Sequence, residues 1–416
     1  MQNNKMTNLP QGWEVKKLGD IAEISSGGTP SRNKKEYWDN GSIPWVKIKD
    51  IKEKFISTTE EFITEDGLKN SSAKLFKKGT LLYSIFATLG EVAILDIDAT
   101  TNQAIAGINI KENNINSLYL MYFLRSIKDE ISNKGRGVAQ NNLNLSILKQ
   151  IQIPLPPLKE QERIVGILDE SFAKIDESIK ILEQDLLNLD ELMQSALQKA
   201  FNPLKDNAKE NYKLPQGWEW KSLGEISNLI QNGFAASKNN EIPSGYVHLR
   251  THNISTDGNL NFDTLIKIKR EFIKEKQSFI EKNDILFNNT NSTELVGKTA
   301  LVTQNYNYAF SNHLTKIKLK NQYNSKLVVF YFVLLLKNKY FEKICHQWIG
   351  QSGINIDKLK KIQIPLPPLK EQEQIASHLD ELSSHVKNLK QNYQAQIKDL
   401  QELKKSLLDK AFKGNL

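Results

Sequence analysis

The chain has 416 residues but a single cysteine, Cys345. That excludes an intramolecular disulfide and a cysteine-based metal cluster. Long apolar runs are missing as well: the longest, Leu327–Leu336, has ten residues, about half of the ~20 that cross a bilayer as a helix. It reads as a buried helix, so no membrane partner is expected. The opening residues, MQNNKMTNLPQGW, carry no apolar signal core, which argues against export and for a cytoplasmic protein. Catalytic signatures are equally scarce. Gly297-Lys298-Thr299 resembles the end of a phosphate loop, but the upstream glycine such a loop requires is Ser292. His248 and His252 stand four apart in HLRTH without the glutamate of a zinc protease, in a strand-like run. There is no Gly-x-Ser-x-Gly elbow and no Asn/Asp-Pro-Pro-aromatic motif for amino-group methylation. Nothing assembles an acid, base and nucleophile set, so a non-catalytic chain without its own metal or cofactor is expected.

What is present is positive charge, unevenly spread. The net charge is +8. Leu158–Ala200 carries five basic and ten acidic residues, and Leu369–Leu416 is balanced to +1, which leaves +12 on the remainder. The basic surface therefore belongs to the globular parts and favours a polyanionic partner. On charge alone, a merely soluble basic protein remains an alternative.

The chain is also duplicated. IQIPLPPLKEQE occurs at Ile151–Glu162 and again at Ile362–Glu373, an offset of 211. LPQGWE opens each half, at Leu9–Glu14 and Leu214–Glu219, and Lys-Ala-Phe closes each, at Lys199–Phe201 and Lys410–Phe412. A period this long means two domains and not a solenoid, whose repeats run to ~20–50 residues.

Within the first half, Ile43–Ile48, Thr80–Phe86, Glu91–Leu95 and Ala104–Ile110 are short, turn-bounded and rich in β-branched and aromatic residues, which predicts strands. Gly27–Ser31 is a loop. Asn116 is a plausible cap for a helix over Leu118–Ile127. The second half follows in outline, with runs at Tyr246–Leu249, Asp284–Phe287 and Thr299–Val302 and a helix at Leu327–Leu336. Both are read as mixed α/β domains.

After each Pro-Pro comes a heptad pattern. Val165, Leu168, Phe172, Ile175, Ile179, Leu182, Leu186, Leu189, Met193, Ala196 and Ala200 alternate spacings of three and four, which predicts a coiled-coil helix. At ~1.5 Å per residue it would reach roughly 65 Å. The second seam runs Leu379, Leu382, Val386, Leu389, Tyr393, then shifts phase to Ile397, Leu400, Leu403 and Leu407. Each seam can be satisfied by the other. With a domain inserted between them, antiparallel pairing is the economical geometry, relating the halves by a pseudo-twofold axis. The alternative is that each helix packs on its own domain.

Polar clusters mark the globular segments. Arg, Asn and Gln suit bidentate contact with base edges, whereas Lys mainly neutralises phosphate. On that ground the DNA-contact candidates in the first half are Arg32, Lys34, Lys35, Asn102, Gln103, Arg136, Gln140 and Asn141. Those in the second are Asn232, Lys238, Arg250, His252, Asn253, Asn289, Asn291, Asn312 and His313. Asn-rich loops are also simply turns, and that reading stands beside the first for each cluster.

Taken together, the LP-x-GW-E tags, GGTPS, Tyr37-Trp38 with Ile43–Val46, and the doubled IPLPPLKEQE resemble the specificity (S) subunits of type I restriction–modification systems over the whole chain. The resemblance implies two mixed α/β target recognition domains separated by two long antiparallel coiled-coil helices. Expected boundaries are residues 1–155 for the first domain, 156–201 for the first spacer helix, 202–366 for the linker and second domain, and 367–416 for the second helix. It further implies a non-catalytic subunit that reads a bipartite, asymmetric site on double-stranded DNA, one half-site per domain. Two methyltransferase (M) subunits would dock on the helices, with restriction (R) subunits joining through that core. S-adenosylmethionine, ATP and magnesium would belong to those partners. Candidates for the helix spacer and docking role are Pro157, Glu160, Gln161, Leu168, Phe172 and Ile175 in the first helix, and Pro368, Glu371, Gln372, Leu379 and Val386 in the second. Two other readings remain: a specificity subunit whose partner fuses methyltransferase and nuclease, and a coiled-coil adaptor that binds no DNA.

Overall fold

The computed structural model describes residues 9–135, 143–202, 214–273 and 279–416. It divides into two compact units, Met1–Leu182 with Ala395–Leu416, and Glu183–Gln394.

In the first unit the two repeated tags turn out to be one element. Strand β1 (Glu14–Lys17) pairs antiparallel with β7 (Gln152–Leu155), Glu14 opposite Leu155, so LPQGWE and IQIPL close the domain together. Inside that clasp lies a five-stranded sheet. Its order is β2 (Ala22–Ser26), β6 (Ile105–Ile110), β4 (Leu81–Ser84), β5 (Val92–Leu95) and β3 (Phe55–Ile56), with only the last pairing parallel. All four residues of β4 and of β5 are buried, as expected for short apolar runs covered on both faces. Helix α1 (Ser117–Ser126) covers one face. Its cap is Asn116, whose side chain accepts from Leu118 N and Tyr119 N.

Helix α2 (Leu158–Phe201) leaves directly from the prolines. Its first turns belong to the core, through Ile164, Val165, Leu168 and Phe172, together with Ala411 and Phe412 from the last helix. Phe412 meets Tyr119 and Phe123 edge-on at 5.2 and 5.3 Å. Arg163 donates to Leu416 O at 2.8 Å, and Lys404 pairs with Asp176. The start of one long helix therefore lies against the end of the other, which is the antiparallel arrangement.

The second unit repeats the plan. Strand β8 (Glu219–Ser222) pairs with Gln363–Leu366, Glu219 opposite Leu366. Its sheet runs β9 (Ser227–Asn232), β13 (Leu314–Leu319), β10 (Ile285–Asn288), β12 (Thr299–Leu301), the same order as β2, β6, β4 and β5. Helix α3 (Ser325–Lys337), capped by Asn324, covers it. The last helix, α4 (Leu369–Ala411), is unbroken through the phase shift at Tyr393–Ile397. Here Phe201 meets Tyr331 at a tilt, ring centroids 5.0 Å apart, in the role Phe412 has against Phe123, and Lys390 bonds Asp190 at 2.7 Å. Each Lys-Ala-Phe tag is thus a plug that completes a domain core.

Candidate nucleic-acid interface

In each unit several of the polar candidates lie at one end of the sheet, where β2 or β9 runs out into a glycine. In the first unit Gly27 N donates to Ile105 O and Gly28 N to Thr101 O, holding the GGTPS loop on the start of β6. The contact tolerates no side chain: a Cβ on Gly27 would lie 1.9 Å from Thr101 Oγ1. Thr29 Oγ1 then donates to exposed Gln103, and Asn102 Oδ1 accepts from Ala104 N at 3.0 Å. Beyond Pro30, the Arg32 guanidinium lies 3.6 Å over Trp38 and 4.7 Å from Trp45, with Nη2 bonded to Glu61 at 2.6 Å. Trp45 Nε1 donates to Gly28 O at 3.0 Å, tying the aromatic pair to the glycine loop. Burial pushes the Glu61 carboxyl up, but hydrogen bonds from Lys47 and Arg32 outweigh it and hold it below the ordinary carboxylate range. Arg32 is therefore a pre-oriented, stacked cation with free edge remaining in solvent. Lys34 leans on Tyr37, its Nζ 3.0 Å from the hydroxyl, and Lys35 is exposed beside it.

The second unit builds the same corner from asparagine. Gly233 N donates to Leu314 O and Phe234 N to Phe310 O. Asn232 Oδ1 accepts from Thr315 Oγ1 at 2.7 Å and from Asn289 Nδ2 at 3.3 Å, while Asn289 Nδ2 also reaches Asn312 O and Thr315 Oγ1. Asn232, Asn312 and His313 are exposed around this network, and Lys238 is exposed on the following turn. Asn291 Oδ1 accepts from Ser292 N.

Two candidates are occupied internally. Asn289 is buried with its amide spent as above, and Asn253 is buried with Nδ2 on Asn261 O and Thr264 O and Oδ1 on Arg250 N. Asn253 clamps backbone and Asn289 ties Asn312 O to the Asn232 and Thr315 side chains, so base-edge contact falls to their exposed neighbours. Arg250 is half-buried, bonding Ala236 O and pairing with Glu241. His252 is exposed, 3.2 Å from Thr264 O. His248 is fully buried; its Nε2 lies 3.1 Å from Phe234 O and burial pushes its pKa down to about 4. Lys298, of the phosphate-loop look-alike, is buried on Thr251 O. Arg136, Gln140 and Asn141 lie outside the described residues.

The helix candidates are mostly inward. Gln161 is buried: Oε1 accepts from Asn116 N, while Nε2 donates to Asn114 O and Pro156 O. Gln372 does the same with Asn324 N and Pro367 O. The doubled KEQE thus latches each long helix to the capped start of α1 or α3. Leu168, Phe172, Ile175, Leu379 and Val386 are buried too and cannot meet a partner. Pro157 and Pro368 are exposed, Glu160 pairs with Arg163, and Glu371 accepts from Trp218 Nε1. Among the described residues no cluster of ligating side chains could hold a metal ion, and no helix is long and apolar enough to cross a membrane.

Two like domains on long helices, each ending in a differently furnished polar corner, define a recognition protein. The chain belongs to the family described as type I restriction modification DNA specificity domain, matched at residues 10–186 and 215–399. It is 28% identical over 429 residues to the type I restriction enzyme MjaIX specificity subunit of Methanocaldococcus jannaschii, covering 98% of this chain and 94% of that one. In fold it is similar to a chain from a structure on complex assembly and conformational transition of the type I restriction–modification system (TM-score 0.78, 22% identity, 98% and 99% of the two chains). The HsdS subunit of Thermoanaerobacter tengcongensis is similar as well (TM-score 0.59, 22% identity, 98% of each).

Proposed function

We propose that this specificity subunit reads a bipartite, asymmetric DNA site, with the sheet-end corner of each domain facing one half-site. The observation that supports this most is one frame carrying two chemistries: the corner after Gly27 presents Thr29, Arg32 and Gln103, whereas the corner at Gly233 presents Asn232, Asn312 and His313. Identical chemistry would favour a symmetric site. Methyl transfer, ATP use and cleavage fall to methyltransferase and restriction partners, which would supply S-adenosylmethionine, ATP and magnesium sites in the cytoplasm. Leu168, Phe172, Ile175, Leu379 and Val386 of the seams are buried, so the apolar residues that the helices leave exposed, Ile181, Leu187 and Leu192 with the seam positions Leu389 and Leu403, are the surface left for those partners. Expressing the chain with its methyltransferase partner and mapping methylated sites by sequencing tests the reading. A single interrupted, non-palindromic motif is expected; random methylation, or a symmetric motif, would contradict it.

A further inference from the structure

The second unit carries a projection that none of the polar clusters includes. Strands β14 (His346–Trp348) and β15 (Gln351–Gly353) form a two-stranded hairpin. Ile349 and Gly350 make its turn, Gly350 with φ at +83°. The hairpin is not loose. Its second strand pairs with β11 (Thr290–Asn291), one residue on from β10, and Thr293 Oγ1 lies 2.8 Å from buried Ser352 Oγ. It is therefore fastened to the sheet end where Asn232, Asn289 and His313 converge, since Ile354 N donates to Asn289 O at 2.9 Å.

The tip exposes what a folded protein ordinarily covers. Trp348 is 53% exposed and Ile349 fully so. Trp348 nevertheless has one fixed position. Its ring edge covers Gly353, where a Cβ would sit 2.8 Å from Cζ3, and His346 meets it edge-on at 4.7 Å. In register Trp348 faces Gln351, so a pre-ordered indole and an exposed amide share one face. Residues 339–361 carry five lysines against two carboxylates, while His346–Gly353 itself bears no Lys, Arg, Asp or Glu. A neutral tip rising from a basic base matches a surface where phosphates flank apolar and hydrogen-bonding base edges.

The duplication supplies a second argument. At the offset of 211 that superposes the IQIPLPPLKEQE motifs, His346–Gly353 falls on Gly135–Asn142, GRGVAQNN. The flanks agree in structure: Leu143 N donates to Ile85 O as Ile354 N does to Asn289 O, and Asn144 and Asn355 cap the following short helices. The two segments are thus flanked alike, and in sequence Arg136 and Gly137 align with Gln347 and Trp348.

Resting on the DNA-recognition reading above, we infer that the His346–Gly353 hairpin enters the major groove at the second half-site, where Gln351 bonds a base edge and Trp348 with Ile349 packs on neighbouring bases. The tip, two-stranded beyond the Asn291–Ser352 pair, is a ribbon that fits a groove ~12 Å wide, and amide side chains have bidentate partners there.

The full chain, in complex with its methyltransferase partner and S-adenosylmethionine, provides the test. Methylation is measured on duplexes bearing the mapped site and single changes in either half. Gln351→Ala and the double variant Trp348→Ala with Ile349→Ser should each lower discrimination in the second half-site roughly tenfold or more, leaving the first unchanged. Replacing His346–Gly353 by GRGVAQNN should change the second half-site bases. Discrimination kept within about twofold by the variants, or weakened equally on specific and random duplexes, would overturn the inference. Should the tryptophan variant fail to fold, Gln351→Ala decides, because that side chain is exposed. A wild-type complex without sequence preference would instead sink the DNA-recognition reading, before any variant is compared.

Discussion

Burial holds the His248 imidazole neutral. With Arg250 adding to that effect, its pKa falls from near 6.5 to about 4. The unfolded chain then binds a proton that the folded one refuses, so stability present above the unfolded pKa is lost as pH falls from about 6.5 towards 4. Between about pH 7.5 and pH 5 the loss should reach roughly 2 kcal/mol. Urea denaturation at the two pH values checks it against His248→Gln, which has no such titration and should lose that much less. Gln161 is the other residue with a sharp expectation. Gln161→Ala removes the partner of three backbone groups, one a half-buried N–H, and should cost roughly 1–3 kcal/mol of unfolding free energy. Glu162→Ala, on the exposed face one residue on, should cost within about 0.5 kcal/mol. From sequence, Gln161 and Glu160 look alike as polar helix-start residues. Only the return of the chain at Asn114–Asn116 separates them, and no local pattern encodes that contact.

At the scale of elements, legibility followed periodicity. The heptads predict α2 and α4, and the β-branched runs fall on β4, β5, β6, β10 and β12 to within a residue or two. The hairpin at His346–Gly353 has three-residue strands around a glycine, too short for a period of two to register. The Arg32–Trp38 stack escaped for a different reason: it joins a loop to a turn through space, and spacing along the chain says nothing about it. Nor does an asparagine cluster reveal which amides are spent inside, as those of Asn253 and Asn289 are. For the long helices, the spacer role carries a length prediction. Removing one matched heptad from each should shorten the helical span by ~10 Å, or roughly three base pairs at ~3.4 Å each. Mapping the methylated motif should show a shorter spacer or, because three pairs also rotate the duplex, weak binding. An unchanged motif at full affinity would exclude a spacer role.

For the whole molecule, duplication explains what the halves share and what they do not. The tags that match are the ones that build the frame: the β1 and β8 clasps, the glutamine latches and the Phe201 and Phe412 plugs. A half-chain of residues 1–205 therefore keeps a plug, Phe201, and lacks the plug its own domain needs. Two copies can supply each other, antiparallel, as a twofold dimer. Size measurement should show that dimer in the presence of the methyltransferase partner, with methylation at an inverted repeat of the first half-site; a monomer would contradict the exchange. The central claim is that each domain reads its half-site separately, and one measurement addresses it directly. Trp13–Gln150 is replaced by the corresponding segment of a relative, and methylated sites are mapped across a host genome with the methyltransferase partner present. The account predicts a new first half-site beside an unaltered second one; a change in both, or in neither, would contradict it.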